Sequence, residues 1–146
     1  MGSLASHSGT HVLPEILSFA DKKILLVHGT EKGKDFWWPP GSYWLAEKAC
    51  DLTNEQPNDW VSRVMRAQVN IEPHSIRLRG VEFIDPRHPA VLLFEVELAG
   101  CPQPSPAYSF DDARYFHIES LPGNLGRDMR HADWLKGIIS RFAQAA

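Results

Sequence analysis

The sequence predicts an α+β fold, a mixed β-sheet with one helix on each face. Three observations predict it: apolar residues that alternate as in strands, two segments with helical periodicity, and the order strands, helix, strands, helix along the chain. The predicted strands are residues 11–19, 23–28, 35–38, 75–84, 90–98 and 113–118. The predicted helices are residues 58–70 and 127–143.

Turn and loop residues separate the predicted strands. The tripeptide at residues 20–22 predicts a tight turn, so the first two strands should form a hairpin. Residues 29–34 are polar and predict a loop. Gly80 predicts a β-bulge in the strand that should pair with the apolar strand 90–98.

The first predicted helix has recognisable boundary residues. Pro57 lies near its start, Asn54 or Asn58 is the capping candidate, and Asn70 stands at a natural C-terminal position. Just upstream, residues 45–52 predict one or two helical turns. The second helix is predicted to be amphipathic from apolar residues at intervals of three and four: Met129, Trp134, Leu135, Ile138, Ile139 and Phe142.

Length and composition predict a single cytoplasmic domain. The chain has 146 residues, of which 43% are apolar and 23% charged. We expect residues 1–10 to be a flexible N-terminus and residues 11–146 to form the domain. The net charge of −3 gives no electrostatic reason to expect nucleic acid or an anionic membrane as a partner. Cys50 and Cys101 fit two free thiols, no apolar run is long enough to span a membrane, and the oligomeric state is unknown.

One stretch in the middle of the chain resembles the signature of the Nudix hydrolase superfamily. That signature is a glycine, five residues, a glutamate, seven residues, then Arg-Glu-apolar-x-Glu-Glu-x-Gly-apolar. Glu55 and Arg63 keep the seven-residue spacing, and Met65 and Ile71 occupy the two apolar positions. Residues 37–41, Trp-Trp-Pro-Pro-Gly, are similar to the Trp-x-x-Pro-Gly that leads into the signature.

The chain departs from the signature at its chemical positions. Val64, Ala67 and Gln68 stand where the family has three helix glutamates, and Gly41 lies too far upstream, which implies a loop insertion. In the superfamily those glutamates hold divalent cations, usually magnesium, against a diphosphate. Valine and alanine offer no oxygen ligand, and the neutral amide of glutamine is a poor one. The resemblance therefore implies the Nudix fold, with Gly41, Glu55 and Arg63 in structural roles, but no metal site and no cofactor.

Aromatic residues around the signature predict a pocket for a flat or hydrophobic ligand. The candidate ligand-binding residues are Trp37, Trp38, Tyr43, Trp44, Trp60 and Val64. The alternative interpretation is that these residues form core. Neighbouring residues of a strand face opposite ways, so one of Trp37 and Trp38 should be core and the other is free to line the cavity.

Five titratable residues are candidates for acid–base chemistry. Glu47 and Asp51 lie in the inserted loop and replace the lost carboxylates if that loop folds over the cavity. Asp111 and Asp112 begin the last predicted strand, which also carries His117. Solvated loop charge is the alternative for the aspartates.

Two classes of function follow from these observations, and in both the expected partner is a small molecule. The first is a repurposed, metal-independent enzyme that isomerises, cyclises or hydrolyses a hydrophobic metabolite, since general acid–base catalysis needs only one positioned side chain of suitable pKa. The second is a non-catalytic ligand-sensing or interaction module. A third alternative is an atypical magnesium-dependent diphosphate hydrolase that recruits ligands from Glu47, Asp51 and Glu55.

Overall fold

The computed structural model describes residues 11–45, 47–84, 86–87 and 89–145, and only the backbone of residues 143–145. The predicted flexible N-terminus, residues 1–10, lies outside this range. Within it the α+β prediction is confirmed. The elements are β1 (His11–Ala20), β2 (Lys23–Glu31), β3 (Lys34–Trp38), β4 (Cys50–Asp51), α1 (Pro57–Val69), β5 (Pro73–Glu82), β6 (Val91–Leu98), a 3₁₀ turn (Pro106–Tyr108), β7 (Phe110–His117) and α2 (Met129–Ala145).

The sheet is mixed, with the order β3-β2-β1-β6-β5. Strands β1 and β6 run parallel, whereas β5 pairs with β6 in the antiparallel sense. Strand β2 pairs with β1 only at their shared turn and then leaves it to lie between β3 and β7. The sheet therefore divides into a β1-β6-β5 part and a β3-β2-β7 part.

Both predicted hairpins form, but one predicted loop is wrong. Asp21 and Lys22 both have positive φ (51° and 63°), as a two-residue turn between twisted strands requires. Residues 29–34 are not a loop, because β2 continues to Glu31 and pairs with β3 across a turn at Lys32 and Gly33. The polar, mostly exposed side chains of these residues predicted a loop, although the backbone forms a strand pair.

The register of β5 contains the predicted bulge. Its pairing with β6 shifts between Leu78 and Gly80. The predicted helical turns at residues 45–52 are wrong. That segment instead ends in the two-residue strand β4, where Cys50 pairs with Val12.

The prediction for the C-terminal end of α1 is confirmed, and the prediction for its N-terminal cap is wrong. The N-cap of α1 is Gln56, which makes no side-chain capping bond, so neither Asn54 nor Asn58 caps the helix. Asn54 bonds to Asp51 instead. Asn70 ends α1 with a left-handed φ of 56°, as predicted.

Both helices contribute to one hydrophobic core. Helix α1 buries Trp60, Val61, Val64 and Met65, and contacts β1 and β5. Helix α2 buries Leu135, Ile138 and Ile139. Met129, predicted on the apolar face of α2, is 78% exposed because it is the first residue of the helix.

Candidate functional site

A buried glutamine joins α1 to the loop after β3. Gln68 is fully buried, its Oε1 accepts a hydrogen bond from the Gly41 amide (2.9 Å), and its Nε2 donates to the Gly41 carbonyl (3.1 Å). Gly41 has a φ of 141°, and a Cβ there would lie 2.8 Å from the carbonyl oxygen of Pro14. The loop is thus held against both α1 and β1. Val64, also on α1, is fully buried, and Ala67 is half-buried.

Glu15 of β1 lies beneath this loop and is a buried titratable residue that the sequence did not predict. It is 4% exposed and accepts hydrogen bonds from Trp38 Nε1 and from the Tyr43 amide, both at 2.8 Å. Burial raises the pKa of Glu15 to about 8, against those two hydrogen bonds and the positive charge of Arg127, which lower it. In the sequence, Glu15 could have been noticed as the single carboxylate within the apolar first strand.

Tyr43 connects the loop to the start of α2. Its ring stacks on Trp38 at a centroid distance of 4.1 Å. Its hydroxyl lies 2.5 Å from His131 Nδ1 and accepts a hydrogen bond from the Arg127 amide at 2.7 Å. Burial raises the pKa of Tyr43 to about 12, so the phenol keeps its proton at neutral pH. Tyr43 therefore acts as a polar link inside the core.

Most of the aromatic residues predicted to bind ligand are packed inside the protein. Trp38, Trp44 and Trp60 are at most 1% exposed, and Tyr43 is 9% exposed. Trp44 stacks on Phe36 at 4.7 Å. These side chains, like Val64, form part of the hydrophobic core.

Glu47 and Asp51 have local partners in the described structure. Arg63 donates two hydrogen bonds to Glu55 (3.0 and 2.9 Å), the pair that the resemblance implies, and also lies 3.9 Å from Glu47. Glu47 accepts a hydrogen bond from the Tyr108 hydroxyl at 2.8 Å. Asp51 bonds to Thr53 and Asn54 in its own turn, and the bonds from Thr53 lower its pKa most. Within the described ranges no group of three or more His, Cys, Asp and Glu side chains could hold a metal ion.

Three predicted residues, Trp37, Asp111 and Asp112, lie around His28 on the half-exposed face of β3-β2-β7, and His28 itself was not predicted. His28, on β2, lies directly opposite Trp37 of β3 and Asp112 of β7. Its Nδ1 is 2.5 Å from Asp111, and its Nε2 is 3.0 Å from Asp35. Burial alone would lower the pKa of His28, but the hydrogen bonds to the two aspartates outweigh it and raise the pKa above its ordinary value. The two carboxylates therefore favour the charged form of the His28 ring.

An aromatic and cationic ridge adjoins His28. Trp37 contacts Phe116 edge to face with ring centroids 4.6 Å apart. The Arg114 guanidinium lies 5.4 Å from the Trp37 ring and 5.8 Å from the Phe116 ring, and it pairs with Asp112. We call these residues, together with His28, Asp35 and Asp111, the sheet-face site.

His117 does not belong to the sheet-face site. It is exposed and pairs with Lys23 at the opposite end of β7 from Asp111, about 20 Å away at the usual rise of a strand. The histidine that meets Asp111 is His28, 83 residues earlier in the sequence. Only the pairing of β2 with β7 creates that contact, so no local pattern could have predicted it.

The comparisons with known proteins identify the fold. No family model matches the chain, and no curated protein matches it significantly. Among solved structures, a NUDIX hydrolase from Nitrosomonas europaea superposes with a TM-score of 0.66 at 14% identity and covers 90% of each chain. The E. coli ORF135 protein gives 0.63 at 13% identity, covering 93% of this chain and 94% of its own. An ADP-ribose pyrophosphatase from Streptococcus suis gives 0.58 at 20% identity, covering 90% of this chain and 92% of its own.

These likenesses define the class of the domain: it has the Nudix fold over nine-tenths of the chain. The fold resemblance inferred from residues 37–71 is thereby confirmed. In the part of the chain that the structure describes, no helix is both long and apolar enough to cross a membrane.

Proposed function

We propose that this chain is a small-molecule-acting Nudix-fold protein that works without the helix-bound cation of its structural class. The two hydrogen bonds between Gln68 and Gly41 carry the proposal. Gln68 stands where the Nudix signature has a glutamate, and both polar atoms of its amide are bonded to Gly41 instead of being free to bind a cation. Val64 and Ala67, at the two other glutamate positions, offer no oxygen ligand. The residues present do not fit a magnesium site on α1.

The ligand is bound at the sheet-face site. Trp37 and Phe116 offer half-exposed rings, which suit a flat or hydrophobic molecule, and Arg114 adds a cation over both rings. The His28 ring orients Asp35 and Asp111, and each carboxylate has a second oxygen beyond the one bonded to the ring. An exposed carboxylate held in this way can accept a proton from the ligand and return it, as isomerisation, cyclisation or hydrolysis requires.

Calorimetric titration with magnesium and manganese chloride tests the metal-independent part. We expect no binding beyond that of an ordinary acidic surface, and chelator should leave any activity intact. Micromolar binding of either ion would contradict the proposal and favour the magnesium-dependent alternative with Glu47, Asp51 and Glu55 as ligands.

Thermal unfolding in the presence of candidate ligands tests the sheet-face site. Flat, weakly polar molecules should raise Tm, and Trp37→Ala should remove that shift. Phe83→Ala is the matched control, because Phe83 is a 57% exposed aromatic outside this group of residues. Protection by nucleoside diphosphates alone would refute the proposed ligand class.

The alternative is a ligand sensor without chemistry, and one observation favours it. Both ring nitrogens of His28 already bond to carboxylates, so neither is free to act on a ligand. Incubating a stabilising compound with stoichiometric protein and following it by mass spectrometry separates the two functions. A converted compound supports the enzyme, and an unchanged compound supports the sensor.

A further inference from the structure

A separate cavity lies beside α2, at the turn that follows β7. Its volume is about 550 Å³, within the range of small-molecule sites. The turn at residues 118–121 forms one wall, and Lys136, Ile139 and Ser140 form the other. We call it the α2 cavity.

The walls of the α2 cavity are ordered by the fold. The Ile118 amide donates to the Lys22 carbonyl (3.0 Å), and the Ser120 amide donates to the His117 carbonyl (2.9 Å), so the turn is fixed by backbone bonds. On α2, residues 136, 139 and 140 share one face by their spacing of three and four. Ile139 is 2% exposed and anchors that face in the core. Backbone bonds and core packing thus hold both walls of the cavity in place.

The side chains of the α2 cavity combine an apolar floor with two opposite charges. Ile118, Leu121 and Ile139 are apolar and pack against the core. Lys136 and Glu119 stand at the rim, and within the described part of the chain neither side chain forms an ion pair or a hydrogen bond. A cation and an anion are thus both available to a ligand above a hydrophobic surface.

We propose that the α2 cavity binds a small zwitterion with an apolar body, of which an α-amino acid with an apolar side chain is the simplest case. An anion would be attracted by Lys136 but repelled by Glu119. A cation would be attracted by Glu119 but repelled by Lys136. A zwitterion gives its carboxylate to Lys136, its ammonium to Glu119 and its side chain to the apolar floor. Because the two charges remain partly hydrated, each contributes only about two- to fivefold to affinity, and we expect millimolar binding.

Amide chemical shifts of the full chain during titration with L-leucine test this proposal. Saturable shifts should appear at residues 118–121 and 136–140. The two analogues that lack one charge, 4-methylpentanoate and 3-methylbutylamine, should each bind about two- to fivefold more weakly. Lys136→Met and Glu119→Gln should each weaken leucine binding by a similar factor, whereas Lys48→Met, the matched control at an exposed loop lysine, should not.

Two results would overturn the proposal. One is the absence of saturable shifts at these residues up to about 50 mM leucine, well beyond the millimolar range expected here. The other is equal affinity for leucine and 4-methylpentanoate, which would show that Glu119 takes no part. Neither result bears on the sheet-face site, because the two sites share no residue.

Discussion

Replacing Gln68 by glutamate, the residue type that the sequence resemblance places at this position, tests whether the glutamine is structural. The carboxylate can still accept the Gly41 amide, but it has no proton to donate to the Gly41 carbonyl. The carbonyl then loses its partner, which costs about 1–3 kcal/mol of unfolding free energy. A buried, unpaired charge at a fully buried position brings the total to about 3–5 kcal/mol at pH 8.

The penalty of Gln68→Glu should depend on pH with a definite sign. Burial raises the pKa of the new carboxyl in the folded state above its value in the unfolded chain. The folded variant therefore binds the extra proton, and its stability rises as the pH falls. At pH 5 the protonated acid can donate to the Gly41 carbonyl, so the variant should approach the wild type.

Urea denaturation at pH 5 and pH 8 measures both effects. Gln68→Met is the control, since it loses both hydrogen bonds without adding a charge. It should cost about 1–3 kcal/mol at either pH. If Gln68→Glu were as stable as the wild type at pH 8, the predicted penalty would be refuted. Such a result would mean that solvent or a cation reaches position 68.

Four further outcomes follow from the structure. Because the pKa of Glu15 is raised to about 8, the wild type should lose stability as pH rises from about 5 to 8, by a few kcal/mol in urea denaturation; a flat profile would contradict its burial. Asp111→Asn should lower the pKa of His28 in an NMR titration, and an unchanged value would mean that the short contact does not exist in solution. Trp134→Ala should cost about 2–3 kcal/mol, less than for a fully buried tryptophan, because its ring stacks on Trp38 yet is only partly buried; a loss below half a kilocalorie would mean that α2 is not docked. Gly137→Ala should stabilise α2 by about 0.5–1 kcal/mol, since a Cβ there meets nothing within 4 Å; a lower Tm would show hidden crowding.

Local patterns predicted the elements of the fold well, for physical reasons. Apolar alternation and helical spacing reflect which residues face the core, so both helices and most strands were found within a few residues. The errors fall where tertiary contacts decide the structure. Residues 29–34 were predicted to be a loop because their side chains are polar, although they form a strand pair. In the segment 45–52, Cys50 and Asp51 pair with β1 instead of continuing a helical turn.

The candidate site was predicted less completely than the fold. Trp37, Asp111 and Asp112 were predicted because their types suggest binding and chemistry, and the structure places them near one another. Glu15 was missed, because its environment depends on two groups that converge on it, one from β3 and one from the loop that follows. Contacts across 83 residues of sequence, such as that of His28 with Asp111, are visible only once β2 and β7 are paired.

The aromatic residues of the loop after β3 pack inward, whereas Trp37 is partly exposed. Gly29 of β2 has no side chain, and a Cβ there would lie 2.8 Å from the Phe110 ring and 2.9 Å from the Trp44 ring. The missing side chain lets Trp44 enter the core, where it stacks on Phe36 and donates its Nε1 hydrogen to the Pro39 carbonyl (3.1 Å). The loop therefore fills the interior with its aromatic residues instead of forming a lid over a cavity. The aromatic surface that a ligand can reach in this region is on the opposite side of β3. There Trp37 lies beside His28 and the carboxylates of β3 and β7 that bond to it.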